Sequence, residues 1–303
     1  MTPASPSLRI AVAIATAGRP DVVADTIRFI ARQSRTPDEL IVCPARPHDL
    51  DPACLEGLPC PARIVSGPIG LPSQRNALVD ATDADVIVFF DDDFLPAEDF
   101  LDEAERLFAA RPDVVIATGW VLADGILGPG YTHEEGLRRL TQGLALAQAQ
   151  AAASSLKQIY NGYGCNMAIR LAPVRENRFR FDERLPLYGW LEDVDFSRQL
   201  APHGLIVKST SLRGVHLGTK KSGRSPGKHL GYSQVANRIY IMRKGHMSPL
   251  QALRGSLKNI LANLVRSLRP EPWVDRRGRL RGNLMAVWDW LLGRVEPERI
   301  LRF

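Results

Sequence analysis

Residues 85–93, DVIVFFDDD, constrain this chain more than any other stretch. Val86 to Phe90 is a short run of β-branched and aromatic residues, which predicts a strand buried on both faces. The run stops on three consecutive carboxylates, Asp91, Asp92 and Asp93. Adjacent like charges repel, and burial would raise their pKa values. A divalent cation removes that conflict, because hard cations prefer carboxylate oxygens. Ligands of open α/β sheets sit at the carboxyl ends of strands. The stretch therefore predicts a metal site at a strand end, ready for a phosphate-bearing molecule. The competing reading is a solvated acidic turn that opens a helix near Pro96.

The flanking pattern supports a layered α/β fold. Strands are predicted at Leu8–Ala15, Glu39–Cys43, Ala62–Val65 and Val114–Thr118, and helices at Val22–Arg32, Ser73–Val79 and Ala97–Ala110. That order predicts a mostly parallel central sheet flanked by helices, Rossmann-like in its nucleotide-binding layout. Ile10 to Ala17 is apolar enough for a short signal segment, but it lacks a basic leader beyond Arg9 and reads better as the first strand. Further on, a helix is predicted from Glu134 to Lys157 and a strand from Cys165 to Ile169. A helix follows from Trp190 to Leu200, then two short strands, Gly204–Val207 and Ser211–His216. Residues 218–229, GTKKSGRSPGKH, read as a basic loop suited to closing over phosphates.

Length and charge set the organisation. The chain has 303 residues, enough for one large α/β domain or two small ones. No apolar run approaches the roughly 20 residues of a membrane span. Its four cysteines show no metal or redox spacing and read as reduced, cytoplasmic thiols. Residues 251–303 hold eleven Lys and Arg against five Asp and Glu, so this tail carries the whole net charge of +6. Leu250, Leu253, Leu257, Ile260, Leu261, Leu264 and Leu268 recur along the tail at helical spacing among basic residues, with Trp288 and Trp290 beyond them. Basic residues beside a Leu/Trp face fit a helix lying on an anionic membrane surface. A helix packed against the body fits the Leu stripe equally well. The division expected is a body over 1–245 and a basic amphipathic helical tail over 246–303.

Other candidates stand around the triple Asp. Thr16-Ala17-Gly18-Arg19-Pro20 leaves the first strand at the same sheet edge. Ser73-Gln74-Arg75-Asn76 opens a helix, where free N–H groups and an Arg fork attract phosphate, and where simple capping is an equal alternative. Glu192 and Asp193 open a later helix, and a carboxylate beside an acceptor hydroxyl is a general base. Acidic residues at a helix start also serve stability alone. His216 ends a strand and could complete a metal shell or bond a phosphate.

Taken in order, these segments resemble glycosyltransferase family 2, inverting enzymes with the nucleotide-sugar-binding A-type fold. The motifs are IATAGRP, LPSQRNALVDATDADVIVFFDDDFLP, NGYGCNMAIR, LYGWLEDVDFSRQLAPHG, VHLGTKKSG and QVANRIYIMRK, covering about residues 8–244. The resemblance implies a metal held by Asp93, Asp91 and His216, with Mg²⁺ or Mn²⁺ as cofactor. It implies donor contacts from Thr16, Arg19, Gln74, Arg75, Asp91 and Asp92, and a catalytic base at Asp193 supported by Glu192. The expected donor is a nucleotide-diphosphate sugar, a UDP-sugar first, and the acceptor a hydroxyl of a lipid-linked saccharide at the inner face of a bacterial membrane. No nucleic acid partner is expected. One departure concerns the donor: Ile41-Val42-Cys43-Pro44 lacks the acidic residue that the family places after its second strand to read the base. Two rivals remain. One is a phosphotransferase with an aspartyl nucleophile, disfavoured because Phe94 follows the acidic run and the run lies mid-chain. The other is a non-catalytic sugar- or lipid-binding protein on the same fold.

Overall fold

The computed structural model describes residues 7–149, 155–220 and 226–303. It resolves two compact units, each drawn from several segments of the chain. The first comprises Met1–Ile69, Gln74–Arg180 and Phe196–Ser222, and the second Gly70–Ser73, Phe181–Asp195 and Gly223–Phe303. The tail 246–303 is accordingly one part of the second unit rather than its whole.

The first unit is built on one mixed sheet. Its strands are β1 (Ile10–Thr16), β2 (Glu39–Pro44), β3 (Ala62–Ile64), β4 (Val86–Asp91), β5 (Phe94–Pro96), β6 (Val114–Asp124), β7 (Leu156–Gln158), β8 (Asn166–Arg170) and β9 (Leu205–His216). The order is β3-β2-β1-β4-β8-β6-β9-β5, with β7 alongside β9. The expected parallel pairing holds through β3-β2-β1-β4 and again between β6 and β9. Between those blocks β8 runs antiparallel to both β4 and β6. This mixed sheet flanked by helices is the layout that the resemblance implies. Helices α1 (Pro20–Ile30), α3 (Phe100–Ala110), α4 (His133–Ala149) and α5 (Leu171–Asn177) belong to this unit, and α2 (Leu71–Asp80) enters it at Gln74. The core runs from Ile10, Val12 and Ile14 through Val86, Val88 and Phe90 to Phe94, Phe100 and Phe108. Phe90 stacks on Phe94 at 5.3 Å and meets Phe100 edge-on at 5.0 Å, which pins the chain on either side of the acidic run.

Three local readings change. The predicted Glu134–Lys157 helix ends at Ala149, residues 150–154 lie outside the described residues, and Leu156–Gln158 is a strand on β9. The two short strands predicted at 204–216 are one strand, β9. Its register against β6 jumps from Gly119↔Ser209 to Trp120↔Arg213, so residues 210–212 form a bulge. The polar run Lys208–Ser211 looks like a break in the sequence because that bulge interrupts the alternation. Finally, β5 follows the triple Asp directly and pairs antiparallel with β9, setting Phe94 opposite His216.

The second unit holds α7 (Gly227–Arg243), α8 (Pro249–Arg266), α9 (Arg276–Leu291) and a closing 3-10 turn, Pro297–Arg302. The start of α8 is written into its sequence. Ser248 accepts from the Gln251 N–H, the Gln251 side chain accepts from the Ser248 N–H, and Pro249 takes the first turn. The apolar core is made by α7, α9 and the C-terminal turn: Tyr232, Val235, Ala236, Ala286, Val295 and Ile300. The segment Phe181–Asp195 is tied in by charge. Lys244 Nζ donates to Asp182 and to Asp195 at 2.6 Å each, and His246 Nδ1 lies 2.7 Å from the second Asp195 oxygen. Asp195 is fully buried. Removing a partner from a buried carboxylate strands its charge. Lys244→Ala is therefore expected to cost about 3 kcal/mol, read as a lowered unfolding midpoint in denaturant, whereas Lys258→Ala on an exposed face of α8 should leave the midpoint within about 0.5 kcal/mol of the parent.

Candidate functional site

The acidic run lies in the first unit at the carboxyl end of β4, and each of its carboxylates has its own partners. Asp92 is buried and points to β1 and α1. The Thr16 hydroxyl donates to Asp92 Oδ2 at 2.7 Å, and Arg19 grips both oxygens, through Nε at 3.1 Å and through its terminal nitrogen on Oδ1. The Thr26 hydroxyl closes on the Asp92 carbonyl at 2.7 Å. Burial raises the Asp92 pKa to about 7, against the pull of Arg19. Gln74 is buried as well, and its amide donates to the carbonyls of Thr16 at 3.0 Å and Cys43 at 2.6 Å. Thr16, Arg19, Gln74 and Asp92, expected beside the donor, thus brace the exits of β1 and β2 against the turn after β4.

Asp91 and Asp93 face another way. The Arg75 guanidinium lies 3.4 Å from Asp91 Oδ1, donates to the Gly164 carbonyl at 2.8 Å and stacks over Phe89. Asp91 is partly open, whereas Asp93 is buried. Asp93 Oδ2 accepts from the Thr219 N–H at 2.8 Å and from Arg19 at 3.4 Å. His216 Nε2 lies 3.3 Å from Asp93 Oδ1 and 3.8 Å from Asp91 Oδ2. Donor atoms of Asp91, Asp93 and His216 all fall within 4.8 Å of one another, so these three residues can hold one cation. Two carboxylates and an imidazole form a donor set that such an ion accepts.

One participant was invisible in the sequence. His216 Nδ1 lies 2.9 Å from Asp124 Oδ1, and Tyr163 donates its hydroxyl to the other Asp124 oxygen at 3.0 Å. That bond turns Nε2 toward the carboxylates, the arrangement that orients histidine ligands at metal centres. It needs close approach of two turns. A Cβ on Gly125 would stand 2.0 Å from the Leu217 carbonyl, and one on Gly218, at φ 64°, only 2.3 Å from the Gly125 backbone. The Asp124-Gly125 pair carries a turn signal, but nothing local says that it meets His216. With no cation bound, burial opposes a charge on His216, yet Asp93 and the bond to Asp124 raise its pKa to about 10. In turn, Asp93 is held well below the usual carboxylate range despite its burial, chiefly by the His216 charge. The imidazolium and Arg19 together offset the three acids.

Glu192 and Asp193 belong to the second unit and open α6 (Glu192–Leu200). Glu192 is buried and Asp193 half-buried, with Asp193 Oδ1 accepting from the Val194 N–H at 2.8 Å. The turn before them is bent hard: Leu187, Gly189 and Leu191 have φ of 60°, 63° and 71°. Leucine rarely adopts this left-handed region, and such backbone concentrates at functional sites. Of the predicted 218–229 loop, Gly227 onward is helix, residues 221–225 lie outside the described residues, and Lys220 Nζ donates to the Ile126 carbonyl at 2.6 Å.

Comparison with known proteins agrees with this architecture. The model of a family described as glycosyl transferase family 2 matches residues 11–177, more than half of the chain. Among solved structures, the chain resembles mannosyltransferase PcManGT from Pyrobaculum calidifontis, in complex with GDP-Man and Mn²⁺, at a TM-score of 0.60 and 15% identity. That match covers 94% of this chain and 88% of the other. It also resembles residues 1–349 of S. aureus TarS, at a TM-score of 0.57 and 14% identity over 97% of this chain and 82% of that one. At such identities the likeness is one of fold. No curated protein sequence matches the chain.

The cluster makes a testable statement about binding. Asp93→Asn should abolish Mn²⁺ binding measured by titration calorimetry on the folded protein. Asp124→Asn, which leaves all three expected ligands in place, should weaken it roughly 10–100-fold through loss of the His216 orientation.

Proposed function

This chain belongs to glycosyl transferase family 2 and is a glycosyltransferase, and on that premise we propose that it performs inverting, cation-dependent transfer from a nucleotide-diphosphate sugar to an acceptor hydroxyl. The observation that carries the reading is the convergence of Asp91, Asp93 and His216 at the end of β4. Asp91 and Asp93 form the DxD pair, with Asp93 the more enclosed ligand. An imidazole among the donors favours Mn²⁺ over Mg²⁺, which prefers a shell of oxygens. A bound cation would neutralise charge developing on the leaving diphosphate.

The protein's own groups do the rest. The half-exposed Asp193 takes the acceptor proton as the acceptor oxygen attacks the anomeric carbon. The bond from that carbon to the diphosphate oxygen breaks on the opposite face, so configuration inverts. Glu192 positions the segment. Arg75, whose guanidinium lies 3.4 Å from Asp91, would supply a forked donor to the diphosphate. Cys43 and Pro44 occupy the exit of β2, so the base must be read elsewhere, with Asp49 and Asp51 in the 3-10 turns that follow as the nearest acids in sequence. The donor expected first is a UDP-sugar, while the bound GDP-Man of the Pyrobaculum enzyme makes a GDP-sugar the alternative to test. The acceptor fitting the pathway analogy is a lipid-linked saccharide of surface or exported polysaccharide, met at the inner face of the cell membrane.

A panel of UDP- and GDP-sugars, assayed for hydrolysis and transfer with and without Mn²⁺, tests the reading. A single donor class should turn over, and chelator should stop it. Asp193→Asn should lose on the order of 10²–10⁴-fold in kcat while its donor affinity stays near that of the parent. Donor binding without turnover under any condition would favour a binding protein, and release of inorganic phosphate a phosphotransferase.

A further inference from the structure

Helix α8 is assembled inside out. Its fully buried residues are small or polar, Ala252, Ser256 and Asn263, beside one partly buried apolar residue, Ile260, that packs on the core, and a Cβ on Gly255 would strike the Arg238 side chain. Asn263 donates to Gln234 of α7 at 2.9 Å and to Asn283 of α9 at 2.8 Å, and Asn283 donates to the Gly231 carbonyl at 2.6 Å. Its leucines face out instead. Leu250, Leu253, Leu257, Leu261 and Leu264 are each 47–56% exposed. The periodicity that ordinarily marks a core-facing stripe here marks the opposite side of the helix. Helix α9 repeats the pattern, with Arg277, Arg281, Leu284, Trp288 and Leu291 along one exposed face.

We propose that the exposed Leu/Trp faces of α8 and α9, with their flanking basic residues, seat on the surface of a bilayer containing anionic phospholipid. Charge and apolar exposure together choose that occupant. Exposed charges on the two helices, at Arg254, Lys258, Arg266, Arg277 and Arg281, are all positive. The acid of α9, Asp289, is buried against Arg294 and Arg299. No helix among the described residues is long and apolar enough to cross a membrane. Helix α8, about 27 Å long, fits in the interfacial plane with leucines in the acyl boundary and Arg254 and Lys258 reaching headgroups. A second copy of the chain fits poorly, because a two-fold contact would set positive faces against each other. Nucleic acid would answer the charges but leave the leucines and Trp288 in water. The surface of these two helices carries this role independently of the transfer chemistry.

The test is sedimentation of the full chain with phosphatidylglycerol or phosphatidylcholine vesicles at low and high salt. Binding should be strong on phosphatidylglycerol, weak on phosphatidylcholine, and reduced by salt. Leu257→Gln with Leu261→Gln should lower it on the order of tenfold or more, with donor hydrolysis and the unfolding midpoint unchanged. Arg254→Gln with Lys258→Gln should lower it at low salt only. Should a leucine variant misfold, tryptophan quenching by brominated phosphatidylglycerol in the parent, diminished by Trp288→Phe, decides the matter. Equal binding to both vesicles, binding to neither, or self-association that the leucine pair abolishes without any vesicle binding overturns the proposal.

Discussion

Three carboxylates in a row at the end of a buried strand cannot all be left to themselves, and the first unit is arranged around that fact. Asp92 is given to Arg19 and Thr16, Asp93 to His216 and the Thr219 N–H, and Asp91 to Arg75 and the open side. Alternate carboxylates therefore do different work. The middle one joins β1, α1 and the turn after β4 into a rigid bracket, and the outer two are left facing a common point. Three charges of one sign become affordable because their environments differ.

Much of this could be read from the chain. The Val86–Phe90 run, its acidic stop and the later His216 are local signals, and the strand and a cluster able to hold a cation follow from them. What escaped depends on contacts between distant residues. Phe94–Pro96 is too short to announce itself as a strand, yet its pairing with β9 sets Phe94 opposite His216. Asp124 is one acid before a glycine, with no periodicity to link it to a histidine far along the chain. Thr16, Arg19 and Gln74 have side chains suited to a nucleotide, and nothing in their residue type announces the hydrogen bonds they make to Asp92 and to backbone carbonyls.

The tail shows a different limit. Periodicity identifies which residues share a helix face, not which face is buried. In α8 the fully buried residues are Ala252, Ser256 and Asn263, the last held by amide hydrogen bonds, while the core of the second unit comes mainly from α7, α9 and the terminal turn, with Ile260 the residue α8 packs on it. Polar residues inside a small helical assembly specify its register, at a cost in apolar burial.

The left-handed leucines before α6 have a consequence for phase. Leu191, at φ 71°, cannot join the helix, so α6 starts at Glu192 and not one residue earlier. Asp195, one turn on, is clamped by Lys244 and His246. A helix stopped at one end and gripped at the first turn cannot slide along its axis. Sliding by a single residue would swing every side chain about 100° around that axis, carrying Asp193 off its bearing. The strained turn thus acts as a detent: it sets the compass direction of a carboxylate two residues further along the chain.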